Sequence, residues 1–384
     1  MDNVAGATGR FQRLVRLLEH SGKPYLHAYM ASQVERLTRI LSGRPYVLCT
    51  YYVPSELTGL YDVEFLYVDR TVGLAAAAGL LPPSDRNLGS ICSYQQAFFD
   101  LLQGNILPLP VLMLGLDYPC CDALRLMEEI HRRWHIPLVR LTQKRLRQDL
   151  KQTANLLSQQ FGQCESTQRV ALRYNEANAY KRSIDQLRIE FPGIADSADI
   201  FKLFTVENDF GSAAAVEILR ALHEALAQRA KAWEPPREYP MLWLGLVPLR
   251  DINLFSRLPK ETGFRVVFEE MWMIERPDCG RDDFFSGMAQ RVQSSLFYHR
   301  AVRARRLVRR AKEVSAAVAV HFSQQCCSFL PPAAPELRRQ FERAGISWVS
   351  ASADVVRSSR FDLSRLQQEL TTCREKFSGG GEAV

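Results

Sequence analysis

The stretch PLPVLMLGLDYPCCDALRLMEEIHRRWHIPLVRL, residues 108–141, decides the fold. Residues 108–117 are an apolar run of strand length, and 136–141 are a second one. Between them, 121–134 reads as a helix. Strand, helix and strand in succession make the unit of a parallel sheet, because parallel neighbours need a crossover between them. Upstream, RPYVLCTYYV (44–53) reads as a buried strand rich in Val, Tyr and Leu. Downstream, MLWLGLVP (241–248), FRVVFEEM (264–271), AAVAVHFS (316–323) and ISWVSASADV (346–355) read as a second set of strands. The expected fold class is α/β, built as two lobes with parallel sheets.

The remaining segments are helical. Residues 1–43 form an N-terminal helical segment, with Phe11, Leu14, Leu17 and Leu18 on one face, and 44–150 form the first lobe. Residues 151–238 form a helical insert that closes on the proline-rich linker EPPREYP (234–240). Within it, Val170, Leu172, Tyr174 and Ala177 share an amphipathic register. Residues 239–377 form the second lobe with its C-terminal helix, and 378–384 are a flexible tail. A chain of 384 residues is long for a single core, which fits two lobes. Ligands of such a protein belong between the lobes, at the carboxyl ends of the strands.

Composition narrows the class. Hydrophobic residues make up 47% and charged residues 24%, the balance of an ordinary globular protein. No run approaches the roughly 18 apolar residues of a membrane span. The opening MDNVAGATGRFQRLVRLL lacks an apolar core followed by a small-residue cleavage site, so a cytoplasmic protein is expected. The formal charge of +7 is concentrated in HRAVRARRLVRRAK (299–312). There Ala301, Ala304, Val308 and Ala311 recur at helical spacing, which leaves the arginines on a solvated face or as a dock for an anionic partner. No basic stripe with interleaved aromatics and no zinc-finger spacing points to nucleic acid.

The nine cysteines carry the chemistry. A reducing compartment and an odd count argue against a disulfide framework. Cys164, Cys279 and Cys373 read as incidental core residues. Cys49, Cys120, Cys121, Cys326 and Cys327 instead fall at or just past strand ends, and Cys92 falls at the opening of a helix. No CxxC pair is present for a zinc ribbon or a thioredoxin-type site, and no short CxxCxxC array for a ferredoxin. What remains is a cluster whose thiolates arrive from distant parts of the fold, and soft thiolates favour iron–sulfur chemistry. Adjacent Cα atoms are about 3.8 Å apart while their side chains diverge, so each CC pair can serve two neighbouring metal centres. Six thiolates divide into two sets of three, which suits two cubanes. Glu56 and Asp122 are the candidate acid–base residues, and each is also placed to support a helix start. His299 and His321 read as structural.

Several segments together resemble the 2-hydroxyacyl-CoA dehydratase and benzoyl-CoA reductase family, in its D-component subunits, over about residues 44–375. YYVPSEL (51–57) is similar to its vPxEl segment, with Pro54 and Glu56 matching. SICSYQQAFFDLLQGN (90–105) resembles the segment with the first cluster cysteine, here Cys92. PCCDALRLMEE (119–129) resembles the CD motif, matching Cys121 and Asp122, and FSQQCCSF (322–329) resembles the third, matching Cys327. AGISWVSASADV and Arg365 match the closing strand and helix, and RYNEANAYKRSIDQLR (173–188) looks like the helical insert.

The resemblance implies two Rossmann-like lobes, a [4Fe–4S] cubane on three cysteines and electrons from a separate ATP-hydrolysing iron–sulfur activator. Consistently, the chain has no phosphate loop of the G-x-x-x-x-G-K-[ST] form. TGLYDVEFLYVDRTVG (58–73) departs from the family pattern and reads as an insert after Glu56. The additional Cys49, Cys120 and Cys326 are similar to the double-cubane subgroup, in which two cubanes share a sulfide (8Fe–9S) and the protein is a homodimer. The expected function is therefore reduction of a small-molecule substrate at a double-cubane cluster. The alternative is a single-cubane subunit of a CoA-ester dehydratase or reductase, and a non-catalytic scaffold is the third reading.

Overall fold

The computed structural model describes residues 2–19, 21–81, 91–251, 253–273, 277–280, 283–295, 297, 300–325, 327, 330–356 and 363–378. Cys326, His299 and the tail after 378 lie outside these residues. The chain divides into two compact units. The first comprises Met1–Arg182, Thr205–His223 and Arg276–Ser295, and the second comprises Ser183–Phe204, Glu224–Glu275 and Leu296–Val384.

In chain order the first part of the molecule contains α1 (Asp2–Glu19), α2 (Pro24–Leu41), β1 (Tyr46–Cys49), β2 (Glu64–Tyr67), α3 (Val68–Ala77) and α4 (Ser93–Gln103). It continues with β3 (Leu112–Leu116), α5 (Cys121–Trp134), β4 (Leu138–Leu141), α6 (Leu146–Phe161) and α7 (Thr167–Glu190). There follow α8 (Ser197–Leu203), α9 (Ala213–Ala230), β5 (Tyr239–Gly245), α10 (Leu254–Thr262), β6 (Phe264–Glu269) and α11 (Phe284–Gln293). The last elements are α12 (Arg300–Glu313), β7 (Val318–Gln324), α13 (Ala334–Arg343), β8 (Ser347–Ala353) and α14 (Leu363–Ser378).

The first unit contains a four-stranded sheet of order β2-β1-β3-β4, and every pairing in it is parallel. The inner strands YVLC and LMLGL are buried at every position, whereas the edge strand LVRL is half exposed. That contrast is what strands covered on both faces require. Helix α5 follows β3 closely: a Cβ on Gly115 would stand 2.8 Å from a methyl of Leu124. The second unit repeats the pattern as β6-β5-β7-β8, again all parallel. Its inner strand β5 ends on Gly245 at φ +84, where a Cβ would meet the carbonyl oxygen of Phe322 at 2.3 Å. Only glycine allows β5 to finish that close to β7. In both sheets the chain steps outward from the first strand and returns on its other side. That reversal opens a crevice at the carboxyl ends of β1 and β3, and of β5 and β7.

The expected α/β class with two parallel sheets is what the molecule shows. Residues 58–73 carry structure that the sequence reading did not assign: EFLY pairs with β1 as the edge strand β2, and Val68 begins α3. Three local readings change. In α1, Phe11 is buried but Leu17 is 66% exposed, so the packed face turns away from Leu17. In α7, Val170, Tyr174 and Ala177 are buried while Leu172 is 53% exposed. In α12 the packed face is Ala304, Leu307 and Ala311 with two arginines, Arg303 and Arg310, and Ala301 faces solvent.

Candidate functional site

Each candidate residue follows from where its strand ends. In the first unit, Thr50 closes the crevice between β1 and β3. Its N–H donates to Leu114 O at 3.2 Å, and its Oγ1 accepts from Leu116 N at 3.0 Å. Beyond β3 the chain turns through Asp117 to Pro119, and Cys120 takes extended backbone angles as the N-cap of α5, with Cys121 its first residue. The segment CDALRLMEEIHRRW starts helical for electrostatic as well as apolar reasons. Asp122 lies in its first turn and His131, Arg132 and Arg133 in its last, matching the helix dipole at both ends. Cys92 is likewise the N-cap of α4, with φ −66 and ψ 157.

Asp122 ties these two helix starts together. Its Oδ2 accepts the backbone N–H of Cys92 at 3.2 Å, while Cys121 Sγ lies 3.8 Å from its Oδ1. The same Oδ1 is 3.4 Å from Arg125 Nη1. One buried carboxylate thus fixes two candidate ligand residues that stand 29 positions apart in the chain. Cys92 is buried, Cys120 half-buried and Cys121 exposed, so the thiols grade from core to surface.

Cys49 occupies a different setting. It closes β1, fully buried, and burial, helped by the charge of Asp69, pushes its thiol well above the usual range. Asp69 starts α3. Burial pushes its carboxyl up to about 6 against the pull of Arg70. Its Oδ2 accepts from Asn208 Nδ2 at 3.4 Å, and its carbonyl oxygen accepts from the Tyr94 hydroxyl. Beside it, Arg70 donates to Gln33 Oε1 at 2.7 Å and to Asp209 Oδ1 at 3.0 Å, and Arg36 lies 2.8 Å from Asp209. Burial alone would raise the Asp209 carboxyl, yet Arg36 and Arg70 hold it down at about 2. None of this network lies in a local motif. Its partners come from α2, α3 and the segment after α8, so sequence reading gave no signal for Asp69, Arg70 or Asp209.

Glu56 lies in the short helical turn Ser55–Gly59 and is fully buried. Both its carboxylate oxygens accept from Arg291 of α11, whose guanidinium stands 4.6 Å from the ring centre of Tyr174. The structure therefore gathers Cys92, Cys121 and Asp122, sets Cys49 beside the Asp69 network, and engages Glu56 in an ion pair.

In the second unit, β7 ends at Gln324, whose buried Oε1 accepts Val355 N at 2.6 Å. That bond anchors the S-Q-x-x-C turn. Cys327 N donates to Gln324 O at 3.2 Å, and Cys327 Sγ accepts from Leu330 N at 3.4 Å. An N–H aimed at sulfur is the kind of contact that tunes a thiolate ligand. Nearby, Glu270 accepts from Gly245 N at 2.8 Å and from Arg303 Nε and Nη2 at 2.5 and 2.8 Å. His321 stacks on Trp348, with ring centres 5.3 Å apart, and its Nδ1 lies 3.1 Å from Ser323 Oγ. Burial pulls the His321 imidazole down to about 4.

Among the described residues, no three His, Cys, Asp or Glu side chains converge as they would around one metal ion. A cubane asks for something different, one thiolate on each of several irons, so its ligands spread rather than converge. The donors at the helix starts and on the β7 turn are thiols throughout, which fits iron–sulfur chemistry and not a hard cation. Among the described residues, no helix is long and apolar enough to cross a membrane. Compared with known families, residues 50–372 match the family model described as 2-hydroxyglutaryl-CoA dehydratase, D-component. Cys92, Cys120, Cys121, Cys326 and Cys327 fall inside the matched range, and Cys49 falls one residue before it. No curated protein matches the chain.

Proposed function

We propose, because this chain belongs to the 2-hydroxyglutaryl-CoA dehydratase D-component family, that it is the cluster-bearing component of an iron–sulfur enzyme. It takes low-potential electrons from a separate ATP-hydrolysing activator and passes them to a small substrate. The observation that carries this reading is Asp122, whose carboxylate accepts the Cys92 N–H and so brings the start of α4 to Cys121 at the start of α5. Cys92, Cys121 and Cys327 would hold a cubane, and Cys49, Cys120 and Cys326 would supply a second set of thiolates for a double cubane. When bound, the cluster supplies single electrons at low potential.

The chain's own residues do the rest. Asp122 fixes the main chain at Cys92 and orders the start of α5. Leu330 N–H steadies the Cys327 sulfur. Metal binding would deprotonate Cys49 despite its burial, since a coordinated thiol loses its proton outright.

A second reading is a single [4Fe–4S] subunit of a 2-hydroxyacyl-CoA dehydratase or a benzoyl-CoA-type reductase. Cys49 favours it, being buried, disfavoured as a thiolate and outside the matched range. Homodimer formation goes with the first reading and pairing with a related subunit goes with the second. Iron and acid-labile sulfide, measured after strictly anaerobic purification, separate the two. About eight irons per chain support the double cubane, about four support the single cluster, and none overturns both. A Cys120→Ser, Cys326→Ser double variant that keeps the full iron content rules out the double cubane.

A further inference from the structure

Three helix starts of the first unit carry the candidate thiols or adjoin them, and none is capped by the side chain at its N-cap. Tyr67 precedes α3, Cys92 precedes α4 and Cys120 precedes α5, each without a side-chain capping bond. Asp196 and Asp283, by contrast, cap α8 and α11 by accepting Ala198 N at 2.9 Å and Ser286 N at 3.0 Å. A hydroxyl or carboxylate at position 92 would satisfy one donor of the helix end, and a thiol gives that bond up. The start of α4 therefore has to be held from outside.

Two side chains hold it. From α5, Asp122 Oδ2 accepts the Cys92 N–H at 3.2 Å. From α4 itself, the Tyr94 hydroxyl donates to the main-chain oxygen of Asp69, in the first turn of α3. Helix α3 follows β2 directly, and Tyr67, the last residue of β2, lies opposite Cys49 in the β1–β2 register. The Tyr94 bond thus runs from the residue two past Cys92 to the residue two past the strand partner of Cys49. It crosses 25 positions and ends on main chain, so it fixes geometry whatever the charge on the Asp69 carboxyl. A bond of the same kind occurs elsewhere in this unit, where the Tyr61 hydroxyl donates to Ala154 O at 3.1 Å, far in sequence from the candidate thiols.

We propose that Tyr94 is a positioning residue for the cluster thiolates. Through the Asp69 carbonyl its hydroxyl registers Cys92 against Cys49, as Asp122 registers Cys92 against the start of α5 that carries Cys121. The inference rests on the cluster-bearing function proposed above.

The test compares the full chain with its Tyr94→Phe and Tyr61→Phe variants, all purified under strict anoxia. Iron content, the rate of iron loss to a chelator and the electron paramagnetic resonance of the reduced proteins are measured. Phenylalanine keeps the ring and removes only the hydrogen bond, so the far-ultraviolet spectra should match the parent's. Tyr94→Phe should lose iron about tenfold faster than the parent, the size of effect that contacts behind a metal ligand carry, and its resonance should change. Tyr61→Phe gives up a bond of the same kind and should keep the parent's rate and resonance. A parent that binds iron, with two variants that lose it at the same rate, overturns the inference alone. The hydroxyl would then act through general stability or not at all. A parent that binds no iron overturns the function proposed above and this inference with it.

Discussion

The sheets β2-β1-β3-β4 and β6-β5-β7-β8 share one strand order, yet their carboxyl ends are finished with different chemistry. Past β1 and β3 the first unit places thiols at helix starts, graded from buried to exposed and linked by one carboxylate. Past β5 and β6 the second unit is locked by charge, and past β7 it places Cys327 on a turn held by Gln324. Glu269 bonds Arg188 at 2.6 Å, and Glu270 bonds both Arg303 and the last strand residue of β5. The lesson is that the doubly wound order supplies a crevice, while the few residues after each strand decide whether it is reactive or rigid. Each unit carries buried carboxylate–guanidinium pairs, among them Glu56–Arg291 in the first and Glu270–Arg303 in the second. These pairs are the sharpest place to break the comparison.

Removing one partner of a buried pair leaves the other charge uncompensated, at about 3–5 kcal/mol. Glu270→Ala should lie at the top of that range, because it also orphans the Gly245 N–H beside β7. Glu56→Ala should cost less, since Arg291 keeps the face of Tyr174. Denaturant unfolding of the two variants checks the order. A larger loss for Glu56→Ala would mean that the first unit, not the second, is the one locked by charge.

His321 gives the next effect, and it belongs to the second unit alone. Its folded value, about 4, lies below the ordinary 6.5 of histidine, so the unfolded chain takes up a proton that the folded chain refuses. The stability it contributes is full above pH 6.5 and is lost as pH falls towards 4. Between pH 7 and pH 5 the loss should reach about 2 kcal/mol. Melting curves of the parent and of His321→Asn over that interval test it. The variant should show the flatter pH dependence, and parallel curves would remove His321 from the rigid end of the second sheet.

Much of this molecule was legible in advance, for a physical reason. Strands buried on both faces, such as LMLGL and MLWLG, are nearly continuous apolar runs and announce themselves. EFLY did not. It has four residues, sits at a sheet edge and lies inside a segment that departs from the family pattern, so the strand went unread. The cysteines were legible because thiols at strand ends are chemically conspicuous. Asp122 was legible as a candidate acid–base residue at a helix start and as part of the CD motif, not as a tether. Its bond to Cys92 N crosses 30 positions and belongs to no periodicity. The same holds for the Asp69–Arg70–Asp209 network, whose partners meet only in the folded chain.

Asp122→Asn sharpens the comparison from the thiol side. The change keeps shape and one acceptor oxygen but removes the charge that faces Cys92 N and Arg125. The stability cost should be small, about 1 kcal/mol, because one hydrogen bond can be remade. Its larger consequence should appear in the iron content, since the main chain at Cys92 and the start of α5 lose their common tether. Faster loss of iron to a chelator under anoxia, with an unchanged far-ultraviolet spectrum, is the expected result. Retention at the parent rate would show that the helix starts hold their geometry without the carboxylate.

The smallest effect concerns α12, where one helix contains both kinds of arginine. Arg303 is buried against Glu270 and Phe297, and Arg310 stands 4.3 Å over Phe268, so these two work as core residues with charged tips. Arg305 and Arg309 face solvent, and Arg309 Nε lies 3.5 Å from Glu313 one helical turn on. Apolar spacing alone could not distinguish them, because a guanidinium with a buried carboxylate to meet packs where a leucine would. Arg305→Gln and Arg309→Gln should each change stability by no more than about 0.5 kcal/mol, as exposed pairs do. Arg303→Gln should cost several times more, by the same uncompensated-charge argument as Glu270→Ala. Chemical denaturation of the three variants side by side measures the ratio. Equal losses would mean that the arginine face of α12 acts through its summed charge, and the second unit would then owe its rigidity to something other than the Glu270–Arg303 pair.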